Sequence, residues 1–282
     1  MTLNSIVWDV SPNIFTFPEK FPLLGGRPVA WYGLLWALSF VIGYIIVKKM
    51  YKREGMDDKL LDKLLLYMLI FTVVGARLGH CLFYEPKEYF ADPIKFLYIW
   101  EGGLASHGGA IGILIGLYIY SRKVKKPYIW TLDRIVIPVA LGGAFIRLGN
   151  LMNSEIYGYE TTLPWGFKFV RDCAPGTPVD AIPACHPTQI YEALVCLIVF
   201  AVLMHLYFKR DTIKKHPGFA FGLFCTVVFG SRILIEFIKR PQVDFENNIF
   251  LDMGQLLSIP FVIVGVYFII KSKACKKERS AV

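Results

Sequence analysis

The sequence has little that points to soluble chemistry. It contains no CxxC, no HExxH and no Walker-type phosphate loop, so a thiolate metal site, a zinc-protease helix and a nucleotide cradle all lack support. No segment repeats at a fixed period and no tract is of low complexity, which argues against solenoids and arrays. Charge is also scarce. Only 19% of the 282 residues are charged while 55% are hydrophobic, and the apolar residues fall in long blocks rather than amphipathic stripes. Such a chain reads as a polytopic, all-α membrane protein. The first 29 residues have neither a basic start nor a continuous apolar core, so no cleaved signal peptide is expected, and the first span serves as the export signal.

Cysteine is sparse as well. Of six, Cys81, Cys196 and Cys225 fall within expected spans and Cys275 in a basic tail. Only Cys173 and Cys185 share an outer loop; an oxidising compartment permits a disulfide there, although spacing alone fixes no Cα separation.

About seven spans of roughly 20 residues are expected. They run near Ala30 to Val47, Leu64 to Tyr84, His107 to Tyr120, Ile129 to Leu151, Thr188 to Phe208, Pro217 to Ile238 and Leu251 to Ile270. The third is short. Lys and Arg concentrate in "KKMYKR", "RKVKK", "KRDTIKK" and "KSKACKKER", and the other connections carry far fewer, so the first set is expected in the cytoplasm. This places the N-terminus outside and the C-terminus inside. The net charge of +9 is divided among these short loops and forms no stripe, so no nucleic-acid partner is expected. Residues 1–282 read as one transmembrane domain with two outer additions. Residues 85–106, aromatic and amphipathic, are expected as an interfacial arm. Residues 156–187, rich in Pro and Gly with an alternating run at Trp165 to Val170, are expected as a small β-containing cap between spans four and five.

Given this topology, the polar residues of the spans gather at the outer side. Arg77 and His80 lie late in the second span, and His107 opens the third ahead of Gly108 and Gly109. Arg147 and Asn150 end the fourth, with Asn153 and Glu155 just beyond. His186, Gln189, Tyr191 and Glu192 open the fifth, and Arg232 and Glu236 share one face of the sixth. Each has a plainer reading when taken alone. Arg77 and Arg134 can snorkel to headgroups, Asp133 reads as a solvated helix start, and "HPTQIYE" as a helix cap. Arg232 with Glu236 reads as a structural ion pair, and the glycines after His107 either leave room for a ligand or permit close helix packing. A charge deep in a span costs about 2.5–3.5 kcal/mol, and independent structural causes do not all choose one leaflet. Arginines facing an outer-leaflet cavity suit a phosphate, which a guanidinium grips with two parallel hydrogen bonds. Asn150 and Asn153 offer amide donors to ester or glycerol oxygens. His107 is the group suited to proton transfer near neutral pH. The expected ligand is an anionic phospholipid.

The segments "WYGLLWALSF", "GARLGHCLFY", "WEGGLASHGGAIG", "RLGNLMNSEIYG", "HPTQIYEA" and "RILIEFIKRPQ" occur in that order, and together the chain resembles the phosphatidylglycerol:prolipoprotein diacylglyceryl transferases of the bacterial inner membrane. The resemblance implies transfer of a diacylglyceryl group from phosphatidylglycerol to the lipobox cysteine thiol of a preprolipoprotein signal peptide, with release of glycerol phosphate. It needs neither metal nor organic cofactor. The family's important positions fall on Tyr32, His107, Arg147, Asn150, Glu155, Arg232 and Glu236, and the sequence departs from the usual signature at Ile146 and Leu151. In that frame His107 deprotonates the thiol, Arg147 and Arg232 hold the phosphodiester, and Glu155 and Glu236 orient the arginines. Tyr32, Asn150, Asn153 and Arg77 contact the lipid. The rival readings are a phospholipid transporter or flippase, which calls for midplane polar residues and an internal repeat, and a membrane-embedded protease, which calls for GxSxG or paired aspartates. Neither set of features is present.

Overall fold

The computed structural model describes residues 5–22, 25–98, 103, 105–240 and 252–279. Residues 241–250 of the expected outer loop between spans six and seven, the start of the last span at Leu251 and the "WEG" of the arm lie outside these residues. Among the described residues six helices are long and apolar enough to cross a membrane, and the protein is a multi-pass membrane protein. They are α1 (Trp31–Arg53), α2 (Asp58–Phe83), α5 (Tyr128–Met152), α6 (Thr188–Phe208), α7 (Phe219–Glu236) and α8 (Met253–Arg279). Between them come the shorter helices α3 (Pro86–Ala91) and α4 (Ser106–Lys123), and a single helical turn at Thr212–Lys215 precedes α7. The chain divides into two compact units, residues 44–135 and residues 1–43 with 136–282.

In the 44–135 unit, α4 stands where the third span is expected. Its 18 residues fall short of the others in apolar character because Ser106, His107, Arg122 and Lys123 sit at its ends and four glycines dilute the middle. At 1.5 Å per residue it is about 27 Å long, close to a hydrocarbon core of about 30 Å. Those glycines have a packing use. Gly75 and Gly79 of α2 face Gly108 and Gly112 of α4, and a Cβ on Gly79 would lie 2.7 Å from the Gly108 Cα, inside any real contact distance. Gly116 packs on Phe71 in the same way, so the two helices run antiparallel with their backbones touching along a small-residue seam. Asp57 caps α2 by accepting from the Lys59 N–H at 2.9 Å.

The arm is a broken element. Pro86 and Pro93 each start a short helical piece, α3 and a 3-10 turn at Pro93–Leu97, leaving Phe90, Ile94 and Leu97 exposed. At the other end of this unit Arg134 does not snorkel. It is buried, its guanidinium donates to both oxygens of Glu54 at 2.9–3.1 Å, and it stacks over Trp130 at 4.1 Å. Asp133, expected as a solvated helix start, is 0% exposed, because its helical turn is packed in the interior.

In the other unit, β2 (Asn13–Thr16) and β3 (Pro28–Ala30) pair antiparallel and lead straight into α1. The cap holds a strand, β4 (Phe167–Phe169), inside the expected alternating run. Its partner is β1 (Ile6–Trp8), added in parallel from the N-terminal segment, and on its other side Phe167 exchanges backbone hydrogen bonds with Cys185. The strand pair lies over a small core of Leu151, Phe167, Phe169 and Cys185, joined by Trp8, Leu148, Tyr157 and Ile190. The Trp8 indole donates to the Leu151 carbonyl at 2.9 Å, which ties the N-terminal strand to the end of α5. Cys173 and Cys185 are free thiols. The Cys185 thiol is pushed up by burial, against an opposing pull from Arg240.

The seam of α2 and α4 leaves no space for a side chain. Gly112→Leu is therefore expected to part the helices and lower the thermal midpoint of the purified protein, an overpacking cost of about 1–3 kcal/mol or more. Gly33→Ala, where a Cβ meets nothing within 4 Å, is the control and leaves the midpoint unchanged or raised. Equal midpoints for the Gly112 variant and wild type would contradict the seam.

Candidate functional site

The last turn of α5 delivers Arg147 and Asn150, and the chain then turns sharply. Ser154 (φ 55°) and Ile156 (φ 62°) are both left-handed, and for a β-branched residue such as Ile156 that backbone is a true outlier. What holds it there is the start of α6. The Thr188 hydroxyl donates to the Ile156 carbonyl at 2.8 Å and the Gln189 amide to the Glu155 carbonyl at 2.6 Å. The segment "HPTQ" therefore grips this turn and caps nothing: the residue before α6 is Pro187, which offers no side-chain cap. Strain held by surrounding contacts is a mark of functional turns.

The strained turn fixes Glu155, whose Oε1 accepts from the Asn150 amide at 2.8 Å and from Asn153 at 3.1 Å. Asn150 in turn accepts from an Arg147 Nη at 3.3 Å. The carboxylate that contacts Arg147 directly is a different one. Arg147 Nε lies 2.7 Å from Glu192 Oε2, so Glu155 acts on Arg147 only through Asn150. The other Glu192 oxygen is 3.6 Å from Lys239 Nζ, and Lys239 stands 3.4 Å from Glu236, which reaches Arg232 Nε only at 4.0 Å. The expected Arg232–Glu236 pair is thus long, and Lys239 is the closer partner of Glu236. Signs alternate along Arg147, Glu192, Lys239, Glu236 and Arg232.

Lys239 lies just beyond α7 and is 2% exposed. Burial pushes its ammonium pKa down; Glu192 and Glu236 oppose that shift, whereas Arg147 and Arg232 add to it. Glu236 is wedged against α8, where a Cβ on Gly254 would come within 2.6 Å of its carboxylate. A π turn at Cys225–Phe229 precedes Arg232 and rotates the rest of α7 relative to a regular helix. Tyr32, early in α1, lies against Gly149: a Cβ there would be 2.7 Å from its ring. Seven of the expected residues, Tyr32, Arg147, Asn150, Asn153, Glu155, Arg232 and Glu236, therefore belong to one unit, and the contacts above link them.

Arg77 and His107 belong to the 44–135 unit. Arg77 is 3% exposed, and its guanidinium donates to the carbonyls of Lys95 (2.6 Å), Phe96 and Gly103 (3.3 Å each) and covers the ring of Tyr89. Its donors are spent on the arm, which makes it a residue that positions backbone. Gly103, at φ +68°, is glycine by necessity, because a Cβ would also strike His80 and Arg77 within 2.8 Å. The following Ala105 N–H donates to the Ala76 carbonyl at 2.9 Å, and His107 begins α4 two residues later. Its imidazole is exposed and has no hydrogen-bond or ionic partner among the described residues. Gly108 behind it is used for packing. No group of three or more His, Cys, Asp or Glu able to hold a metal occurs among the described residues.

An arginine and asparagine tied to a strained "NSEI" turn, with a charge chain behind them, is the arrangement the sequence signature encodes, and the family profile described as prolipoprotein diacylglyceryl transferase matches residues 18–271. The chain belongs to the prolipoprotein diacylglyceryl transferase family. It is 49% identical over 284 residues to the phosphatidylglycerol–prolipoprotein diacylglyceryl transferase of Porphyromonas gingivalis, covering 96% of each chain. It is 47% identical to the one so named from Tolumonas auensis, with 95% of this chain and 97% of that protein covered. The one so named from Cereibacter sphaeroides is 32% identical, over 94% and 97%. The chain is a transferase. Of its two departures from the usual family signature, Leu151 is part of the cap core and Ile146 is half-buried, and neither carries a polar atom into the site. Lys239, Gln189 and the direct role of Glu192 were not assigned from the sequence. Lys239 sits beside Arg240 ahead of a proline, where a lysine looks like a snorkelling end. The one available signal was its spacing of three from Glu236, which puts the two on adjacent turns.

Removing Lys239 leaves Glu192 and Glu236 without the cation between them. Lys239→Met is expected to destabilise the folded protein by about 3–5 kcal/mol, read as a lower thermal midpoint, while Lys239→Arg restores most of it. A Met variant with wild-type stability and activity would remove Lys239 from the network.

Proposed function

We propose that the chain transfers the diacylglyceryl group of phosphatidylglycerol to the cysteine thiol of a preprolipoprotein lipobox, at the outer side of the bacterial inner membrane. The observation that carries this reading is the state of the two arginines at the ends of the charge chain. Arg232 Nε is buried without a hydrogen-bond partner among the described residues, and Arg147 keeps one terminal nitrogen unspent. Paired carboxylates compensate their charge without saturating their donors, which suits them to a ligand phosphodiester.

In the reaction the thiol sulfur attacks the glycerol carbon that bears the phosphate. A C–S bond forms, the C–O bond to phosphate breaks, and glycerol phosphate leaves with the electron pair. Arg147 and Arg232 stabilise the charge that develops on the departing phosphate. Asn150, Asn153 and Tyr32 position the glycerol backbone, with Glu155, Glu192, Lys239 and Glu236 holding the donors in place. Arg77 fixes the arm and the loop before His107. A thiol of pKa about 8.5 must lose its proton to attack well, and the exposed, unpartnered imidazole of His107 is the base. The seven-span topology, with α4 as the third span, the N-terminus outside and the C-terminus in the cytoplasm, belongs to this proposal and rests on the Lys and Arg distribution.

The test uses purified protein, phosphatidylglycerol and a lipobox peptide. Arg147→Ala is expected to abolish transfer while the protein remains inserted and folded, and Arg147→Lys to rescue poorly, since an ammonium lacks the planar fork. His107→Gln is expected to slow turnover by about 10²–10⁴-fold and to show residual activity that rises with pH more steeply than wild type. A His107 variant that loses lipid binding with an unaltered pH profile would make His107 a headgroup contact. Lipid translocation without thioether formation would overturn the transferase reading.

A further inference from the structure

At the end of the 44–135 unit remote from His107 along α4, the first turns of α2 and the last turn of α4 enclose a cavity of about 280 Å³. It is lined by Leu60, Lys63, Tyr67, Tyr120, Lys123 and Val124. Its back wall is fixed, because the Tyr120 hydroxyl bonds to the Tyr51 hydroxyl at 2.8 Å and donates to the Leu60 carbonyl at 3.0 Å. Its functional groups are unspent. Lys63 and Lys123 form no ion pair, and the Tyr67 hydroxyl makes no hydrogen bond, among the described residues. The acidic groups nearby are already engaged: Asp58 with Lys48 at 3.2 Å, Asp62 with the Tyr44 hydroxyl at 2.9 Å, and Glu54 with Arg134. The cavity therefore presents two uncompensated ammonium groups from two helices, with a phenol one helical turn further into the bilayer.

We infer that this cavity binds the phosphate of an anionic phospholipid in the leaflet at that end of the helices, separately from the arginine site. The two ammonium groups take the phosphate from either side, and basic pockets between spanning helices are suited to such headgroups. Tyr67 is placed at the depth of the glycerol esters, where a phenol is both apolar and a donor. Leu66 and Ile70, exposed on the same side of α2 below Lys63, provide the surface along which an acyl chain lies. That continuity from ammonium to phenol to exposed aliphatic side chains favours a lipid over free phosphate.

The experiment is native mass spectrometry of the full chain titrated with phosphatidic acid, with phosphatidylcholine as the zwitterionic reference. Lys63→Ala with Lys123→Ala is expected to weaken one phosphatidic acid site by about 10- to 30-fold, at about 1 kcal/mol for each lysine, while the paired Arg substitutions retain it and show that folding is intact. Lys49→Ala with Lys52→Ala removes the same charge outside the cavity and is expected to leave the site unchanged. Equal binding by wild type and the Lys63/Lys123 Ala variant overturns the inference, as does equal weakening by the Lys49/Lys52 control. Displacement of the lipid by millimolar inorganic phosphate would make the cavity a free-anion site and overturn the lipid assignment.

Discussion

The arrangement of the candidate site depends on one buried carboxylate. Glu192 reaches Arg147 with one oxygen at 2.7 Å and Lys239 with the other at 3.6 Å, and so links the end of α5 to the segment after α7 through the second turn of α6. A charge taken out of water is costly unless paired; here Glu192 and Lys239 each meet two opposite charges, while Glu155 is satisfied by the Asn150 and Asn153 amides. Arg147, Lys239 and Arg232 balance Glu155, Glu192 and Glu236, so the six groups sum to zero. The cost of burying the network is offset within the protein, and Arg232 Nε and one terminal nitrogen of Arg147 keep donors without a hydrogen-bond partner among the described residues.

A second constraint is backbone proximity without side chains. Gly75, Gly79, Gly108 and Gly112 let α2 and α4 touch, and Gly103 lets the loop before α4 lie on His80 and Arg77. Arg77 then holds three carbonyls of that arm. His107 is carried by this rigid corner yet keeps its own ring free. Gly103, Gly108 and Gly109 thus serve packing on either side of His107 in the chain, and its imidazole is left exposed.

Much of this was legible in the sequence. Seven spans are expected from the long apolar blocks; six coincide with helices long and apolar enough to cross a membrane among the described residues, and the third, expected as short, coincides with the 18-residue α4. Arg147, Asn150, Asn153 and Glu155 stand together in the signature and Tyr32 is named only through the family resemblance, while β4 lies in the alternating run around Phe167. The partners were not legible. That β1 would pair with β4 across about 160 residues has no local signal, and a carboxylate such as Glu192 announces its charge without announcing which of several arginines it meets. Asp133 and Arg134 looked like a solvated edge because the sequence does not display the Glu54 and Trp130 that surround Arg134. Arg77 was read as a lipid contact for the same reason: its acceptors are backbone carbonyls, which every residue has.

The central claim is that Glu192 couples Arg147 to Lys239 as one unit. A double-mutant cycle of Glu192→Gln and Lys239→Met, read on kcat/KM for diacylglyceryl transfer, tests it most directly. Groups in one buried ionic network couple by about 0.5–3 kcal/mol, so the account predicts that the double variant is much less impaired than the product of the single effects. Independent, multiplicative losses would contradict it and would separate Lys239 from the Arg147–Glu192 pair.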